Sequence, residues 1–146
     1  MIDQIKKLRT ETGVSITECE KALKETNGDM EKAKEVLKEW GKSFAEQKKD
    51  RVTSQGLIDS YIHPNKKVGV LLELNCETDF VAKGQYFQNL AHEICLQIAG
   101  MGDTETPLLE QPWIKDPSKT IKDLVQEQIS KTGENIIIKR FIRYQL

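Results

Sequence analysis

Hydrophobic residues in the first 41 positions recur at helical spacing and are interrupted by turn residues. Thr12–Gly13 and Asn27–Gly28 are typical of helix C-termini, and Ser15 and Asp29 are typical N-caps. Because helices of about three turns are marginal in isolation, we expect the three helices to pack together as a compact module. Their apolar faces consist of Ile2, Ile5 and Leu8, then Ile16, Cys19, Ala22 and Leu23, then Ala33, Val36, Leu37 and Trp40.

The period changes from helical to alternating after residue 55. Residues 56–63 alternate polar and apolar side chains, a turn follows at 64–67, and residues 68–74 form an apolar run. This order predicts a β-hairpin. The tail, residues 135–146, is rich in β-branched and aromatic residues. We expect it to add a third strand, because a hairpin alone is marginally stable.

Two more helices are predicted between the hairpin and the tail. The first covers about Gln85 to Ala99, and the second is capped by Ser118 and ends at Thr132–Gly133. The charged stretch 42–54 is typical of a linker that is partly helical. The predicted fold class is therefore α+β. A three-helix domain with its linker occupies residues 1–54, and in the core domain, 55–146, helices pack on a three-stranded antiparallel sheet.

Residues 75–82 connect the apolar strand to the next helix, and this junction is the best candidate for a functional site. Thr78 is a good N-cap, and Asp79 falls in a first turn whose free amides favour an anion. Phe80 has no comparable local purpose. The local pattern by itself favours Phe80 as a core residue or a hydrophobic staple over an exposed contact residue.

Composition narrows the class of protein. The chain has 22 basic and 23 acidic residues and a formal net charge of −1, so we expect no direct nucleic-acid partner and no membrane partner. Two basic clusters, at 48–51 and 139–143, are typical of a solvated face and of a protected sheet edge. No apolar run approaches the roughly 18 residues of a membrane span, and no signal-peptide core is present, so we expect a cytoplasmic protein.

Catalytic chemistry is not visible in the sequence. Cys19, Cys76 and Cys95 lie too far apart for a zinc site and are predicted to fill the core. No nucleophile stands beside a base, and no glycine loop could cradle a phosphate. We therefore expect a binding protein that is not an enzyme and that has no cofactor and no metal. Val14 and Ile16, at the first turn, are either a hydrophobic staple or a binding surface.

The junction carries a pattern that is similar to one in a known protein family. The run Asn75–Ala82, with Thr78-Asp79-Phe80-Val81 at its centre, resembles the signature of the elongation factor Ts family. The resemblance extends to Gly13–Leu23 and Asn27–Asp29, and to Gly133–Ile136 followed by Arg140–Phe141. These matches occur in the family's order and cover nearly the whole chain.

The resemblance implies a translation elongation factor that promotes guanine-nucleotide exchange on elongation factor Tu. It implies that the N-terminal helices form a ubiquitin-associated-like domain that docks on the partner's G domain, with Val14 and Ile16 as candidate contacts. The resemblance also implies that Thr78 to Val81 disturb the partner's magnesium site, where Asp79 approaches and Phe80 wedges between side chains.

The chain departs from the family pattern in two places. Residues 100–111 form a short loop where family members generally have a longer helical segment, and Val14-Ser15-Ile16 replaces a glycine and methionines. Short bacterial members use a dimer in place of a duplicated core, so the resemblance allows a homodimer. The rival hypothesis is a small adaptor whose three-helix module binds a ubiquitin-like or other helical partner through Val14 and Ile16.

Overall fold

The computed structural model describes all residues, 1–146, and confirms the α+β class. Three helices come first, followed by a hairpin, two helices, a short ribbon, a further helix and a last strand. The elements are α1 (Ile2–Thr12), α2 (Ile16–Glu25), α3 (Met30–Lys48), β1 (Gln55–Ile62), β2 (Val68–Cys76), α4 (Asp79–Ala82), α5 (Gln85–Met101), a 3₁₀ turn (Leu108–Glu110), β3 (Pro112–Trp113), β4 (Asp116–Thr120), α6 (Ile121–Thr132) and β5 (Ile136–Gln145).

Helix α1 ends at the predicted residue, and α2 and α3 begin at their predicted N-caps. The Ser15 side chain accepts a hydrogen bond from the Glu18 N–H, and the Asp29 side chain accepts one from the Lys32 N–H. Gly13 ends α1 with a φ of 71°, a left-handed conformation that glycine adopts without strain. The three helices share one hydrophobic core, made of Ile5, Leu8, Cys19, Ala22, Leu23, Ala33 and Leu37.

The stretch 42–54 is more ordered than the sequence predicted. Helix α3 continues to Lys48, so only the last few residues before β1 lack regular structure. Ala45 is buried in the hydrophobic core of the β-containing half, and Phe44 packs against it. These two side chains explain the correction, because they give the second half of α3 an apolar side to bury. Helix α3 thus runs from one hydrophobic core into the other.

The sheet has the predicted three strands in the order β1-β2-β5, and both pairs are antiparallel. Alternate side chains of β2 are buried against the helices, and these are Val70, Leu72, Leu74 and Cys76. The other side of the sheet carries exposed apolar side chains, with Ser60, Leu71 and Ile142 aligned across the three strands. Nothing in the chain covers that side.

The beginning of the last long helix differs from the prediction. Ser118 lies in β4, where its N–H and hydroxyl both donate to the Asp116 carboxylate at 3.1 and 2.6 Å. The N-cap is Thr120, which forms a reciprocal capping box with Asp123. The β3–β4 ribbon was not predicted, because its two strands are too short to show alternation. None of the helices is long and apolar enough to cross a membrane.

Candidate partner-binding turn

The junction turn, residues 75–82, begins with the last two residues of β2 and includes α4. Strand β2 ends at Cys76, and α4 begins at Asp79. Thr78 is the N-cap, as predicted, and its hydroxyl accepts a hydrogen bond from the Val81 N–H at 3.3 Å. Thr78, Asp79, Phe80 and Val81 therefore lie together in one tight turn between the central strand and α5.

The turn is anchored on one side and exposed on the other. Ala82 is buried, and Val81 packs against the same core. Phe80 is 88% exposed, which contradicts its alternative assignment as a core or staple residue. Because α4 has only four residues, its inward positions are already taken by Val81 and Ala82. The benzyl group of Phe80 therefore projects into solvent.

Asp79 also faces solvent, and it has a partner in its own chain. Its carboxylate accepts from the Lys83 ammonium at 2.9 Å, one helical turn later, and 57% of the Asp79 side chain is exposed. The hydrogen bond to Asp79 raises the pKa of Lys83. An exposed pair of this kind is weak, so the Asp79 carboxylate can leave Lys83 for another cation at little cost.

Glu134 holds the junction turn from outside. One oxygen of its carboxylate accepts from the N–H groups of Glu77 and Thr78 at 3.1 and 2.9 Å, and the other accepts from the Thr78 hydroxyl at 2.7 Å. Glu134 follows the end of α6, more than fifty residues later in the chain. The start of α4 is therefore fixed by a residue from a distant element.

Glu77 makes a reciprocal contact with the segment that contains Glu134. Its carboxylate accepts from the Asn135 N–H at 2.6 Å and pairs with the Arg51 guanidinium at 3.1 Å. The buried amide of Asn135 in turn donates to the backbone carbonyls of Lys49 and Arg51 at 3.2 and 3.0 Å. We call Arg51, Glu77, Glu134 and Asn135 the clasp. It joins the junction turn to the end of α3 and to the start of β5.

Cys76 closes the turn from inside. Its thiol is buried and donates to the Thr78 carbonyl at 3.2 Å. Burial, and next the negative charge of Glu134, raise the pKa of Cys76 to about 11. The thiol is therefore protonated at neutral pH, and it stabilises the turn without acting as a nucleophile. No group of three or more histidine, cysteine or acidic side chains is arranged to hold a metal ion.

The second pair of candidate residues lies in the N-terminal module. Ile16 is 51% exposed, whereas Val14 is half-buried against the core of the three helices. A cleft of about 610 Å³ separates this module from α6, and its lining includes Gly13, Val14, Tyr86 and Lys131. The two candidate regions therefore rest on different hydrophobic cores, since Val14 packs against the core of the three helices and Val81 against the core of the β-containing half.

The clasp was not predicted from the sequence as a set of interacting residues. Glu77, Glu134 and Asn135 belong only to segments that carry the family resemblance. Local patterns reveal caps because the partners are three residues apart. They carry no signal for a carboxylate whose amide donors lie far away in the sequence. The only sequence feature that marked this segment was the match of Gly133-Glu134-Asn135 to the family pattern.

Comparison with known proteins identifies the family. A family model described as elongation factor TS matches residues 77–146, which include the junction turn from Glu77 onward and most of the clasp. An elongation factor Ts from Coprothermobacter proteolyticus is 45% identical over 188 residues, which cover 97% of this chain and 95% of the relative. One from Thermotoga maritima is 40% identical over 189 residues, with 99% and 95% covered.

A third relative gives the same result. The elongation factor Ts of Thermoanaerobacter pseudethanolicus is 40% identical over 187 residues, with 97% of this chain and 92% of the relative covered. These aligned regions are longer than the 146 residues of the chain, so the relatives contain positions that have no counterpart here. The chain belongs to the elongation factor Ts family and has the role of a translation elongation factor.

Proposed function

We propose that this protein promotes the release of GDP from elongation factor Tu by disturbing the partner's magnesium and phosphate site. The observation that carries the proposal is the exposed Phe80, held on a short capped turn whose backbone is fixed by the clasp. An aromatic side chain that is fully solvated in the free protein gains most when a partner buries it. A buried aromatic in a well-packed interface is typically worth about 2 kcal/mol or more.

The proposed mechanism makes and breaks no covalent bond, and in this sense the protein is not an enzyme. Magnesium requires near-ideal octahedral geometry, so a small displacement of the groups around it weakens the binding of the nucleotide. Linkage then requires that GDP weaken the binding of this protein by the same factor. Rebinding of nucleotide therefore releases the exchange factor.

The residues of the junction turn have separate roles in this proposal. Phe80 inserts between side chains of the partner, and Asp79 approaches the magnesium site after leaving Lys83. Thr78 and Val81 hold the two projecting residues in place, through the cap and through the core contact. Val14 and Ile16 dock the N-terminal domain, residues 1–54, on the partner's G domain, while the core domain, residues 55–146, carries the turn.

Stopped-flow release of labelled GDP from elongation factor Tu tests the proposal. We expect the protein to accelerate release, and Phe80→Ala to reduce the maximal rate by about 30-fold, the equivalent of about 2 kcal/mol. Val52→Ala is the matched control, because Val52 is 82% exposed and lies outside the turn. A wild-type protein that leaves the release rate unchanged would refute the proposed function.

The exposed Ile16 favours the adaptor as a second candidate, and the same assay separates the two. For an exchange factor, Ile16→Ala raises the concentration needed for half-maximal acceleration and leaves the maximal rate unchanged. An adaptor would instead bind its helical partner through Ile16 and would be indifferent to Phe80→Ala. Loss of acceleration in the Phe80 variant alone therefore excludes the adaptor as the main function.

We also propose a homodimer formed through the open side of the sheet. The supporting observation is the exposed apolar set on that side, which no element of the chain covers: Ile58, Ile62, Leu71, Ile137, Ile142 and Tyr144. Burying such a set is favourable at about 25 cal/mol per Å². Sedimentation equilibrium measures the assembly directly, and a monomer at all concentrations would contradict it.

A role in translation also favours a cytoplasmic location.

A further inference from the structure

We propose that Glu134 is a positioning residue for nucleotide exchange, acting through the junction turn without touching the partner's nucleotide. This inference rests on the proposed function, since it assigns a residue to the same reaction. Glu134 lies in the connection between α6 and β5, and its carboxylate accepts hydrogen bonds from Glu77 and Thr78, the two residues that precede α4. Its role is to set the direction in which Asp79 and Phe80 project before the partner arrives.

The start of α4 depends on this carboxylate because the helix is too short to hold itself. A single helical turn is unstable alone, since fixing its backbone costs more than its few hydrogen bonds return. The N–H groups of Glu77 and Thr78 have the Glu134 carboxylate as their hydrogen-bond acceptor. Without it, these two donors turn to water, and the peptide planes that orient α4 are no longer fixed.

The carboxylate is itself held in place, so that it can act as a reference point. Gly133 ends α6 in the left-handed conformation, with a φ of 74°, and the Glu134 N–H donates to the Thr132 hydroxyl at 3.2 Å. On the other side, the N–H of Asn135 donates to Glu77 at 2.6 Å. The backbone of Glu134 is therefore fixed on both sides, by the end of α6 and by Asn135. Its carboxylate in turn fixes the position of Thr78.

Positioning affects the maximal rate more than the affinity. A wedge that is already oriented does not lose conformational entropy when it inserts, whereas a mobile wedge must be ordered at that moment. The docking contacts at Val14 and Ile16 and the body of the core domain do not depend on Glu134. Loss of the clasp should therefore leave the complex able to form but slow to expel GDP.

The experiment measures GDP release at increasing concentrations of each variant, at a temperature where circular dichroism shows the variant to be folded. We expect Glu134→Ala to lower the maximal rate about tenfold and to change the half-saturating concentration by less than about threefold. Glu134→Gln keeps an acceptor oxygen and should give an intermediate rate. Glu105→Ala is the control, because the Glu105 side chain is exposed and forms no hydrogen bond or ion pair.

Hydrogen exchange of the free protein provides a readout that needs no partner. The amides of Glu77 and Thr78 should exchange about tenfold faster or more in Glu134→Ala than in Glu105→Ala, because they lose their acceptor. A folded Glu134→Ala variant with the wild-type maximal rate would overturn the inference, as would a Glu134→Gln variant as slow as Glu134→Ala or unchanged exchange at the two amides. If the wild-type protein itself fails to release GDP, the proposed function is wrong, and hydrogen exchange alone decides whether Glu134 positions the turn.

Discussion

The two turns that present exposed apolar residues, residues 12–16 and the junction turn, share the same local construction. In each, a hydroxyl caps the following helix: Ser15 accepts from Glu18, and Thr78 accepts from Val81. In each, a buried cysteine thiol donates to a carbonyl of the turn. Cys19 donates to Val14 at 3.6 Å, and Cys76 donates to Thr78 at 3.2 Å. In each, an apolar side chain then points outward, Ile16 or Phe80.

The turns differ in what holds them from outside. The hydrogen bonds of the first turn are all local, such as that from the Val14 N–H to the Thr12 hydroxyl at 3.3 Å. The second is held by Glu134 and, through Glu77, by Asn135 and Arg51. A turn with only local bonds can adjust to a partner, whereas a turn fixed at three distant points cannot. This difference fits docking at Ile16 and wedging at Phe80.

Removal of the Asn135 side chain, which belongs to the second turn alone, should have the largest effect on stability. The side chain is only 3% exposed and donates to the carbonyls of Lys49 and Arg51. Asn135→Ala leaves both carbonyls without this donor and opens a small cavity, so we expect the free energy of unfolding to fall by about 3 kcal/mol. Urea denaturation measures this fall in the free energy of unfolding. Asn89→Ala, at an exposed helical site, is the control and should change stability by less than about 0.5 kcal/mol.

The two caps give the next largest effect, and they form a matched pair. Ser15→Ala removes one local hydrogen bond and should cost about 1 kcal/mol. Thr78→Ala removes the equivalent bond and also the hydroxyl that donates to Glu134 at 2.7 Å, so we expect about 2 kcal/mol. Equal losses in the two variants, measured by urea denaturation, would show that the clasp adds nothing to the second turn.

These pairs also show how far the sequence alone predicts the structure. The capped starts at Ser15, Asp29 and Thr78 were all predicted, because a cap and its donor are three residues apart and leave a readable pattern. The hairpin and the third strand were predicted from alternation and a buried run. Local pattern and hydrophobic period therefore account for most of the fold.

The misses have a common physical cause. Ser118 was assigned as a cap, but the carboxylate of Asp116 occupies its hydroxyl and N–H, and Thr120 takes over the helix start. Two candidate caps lay within three residues, and only the packing of α6 decides between them. The clasp was missed because its partners meet only after the chain has folded. The exposure of Phe80 likewise follows from tertiary packing, because Val81 and Ala82 occupy the buried side of α4.

The cysteines of the two turns allow a final test, through the pH dependence of stability. Burial, and next the charge of Glu134, raise the pKa of Cys76 from 9.0 to about 11. Burial also raises the pKa of Cys19, which has no clasp carboxylate beside it. A thiol whose pKa is higher in the folded protein stabilises it fully below pH 9. That contribution is lost as the pH rises through 11, because the unfolded thiol ionises first.

We therefore expect the stability difference between wild type and Cys76→Ala, measured in urea at pH 8 and at pH 10.5, to shrink at the higher pH. The corresponding difference for Cys19→Ala should shrink less, because burial raises the pKa of Cys19 while the Thr12 hydroxyl and the Arg9 charge lower it. Comparing two pH values for each pair removes the constant cost of the cavity and the titration of lysines and tyrosines common to all variants. Repeating the Cys76 comparison in the Glu134→Ala background should weaken the pH dependence, because the carboxylate that adds to the pKa shift is gone. A stability difference for Cys76 that is the same at both pH values would contradict this prediction. It would mean that the Cys76 thiol does not lie in buried, negatively charged surroundings, and the second turn would then lose a feature that distinguishes it from the first.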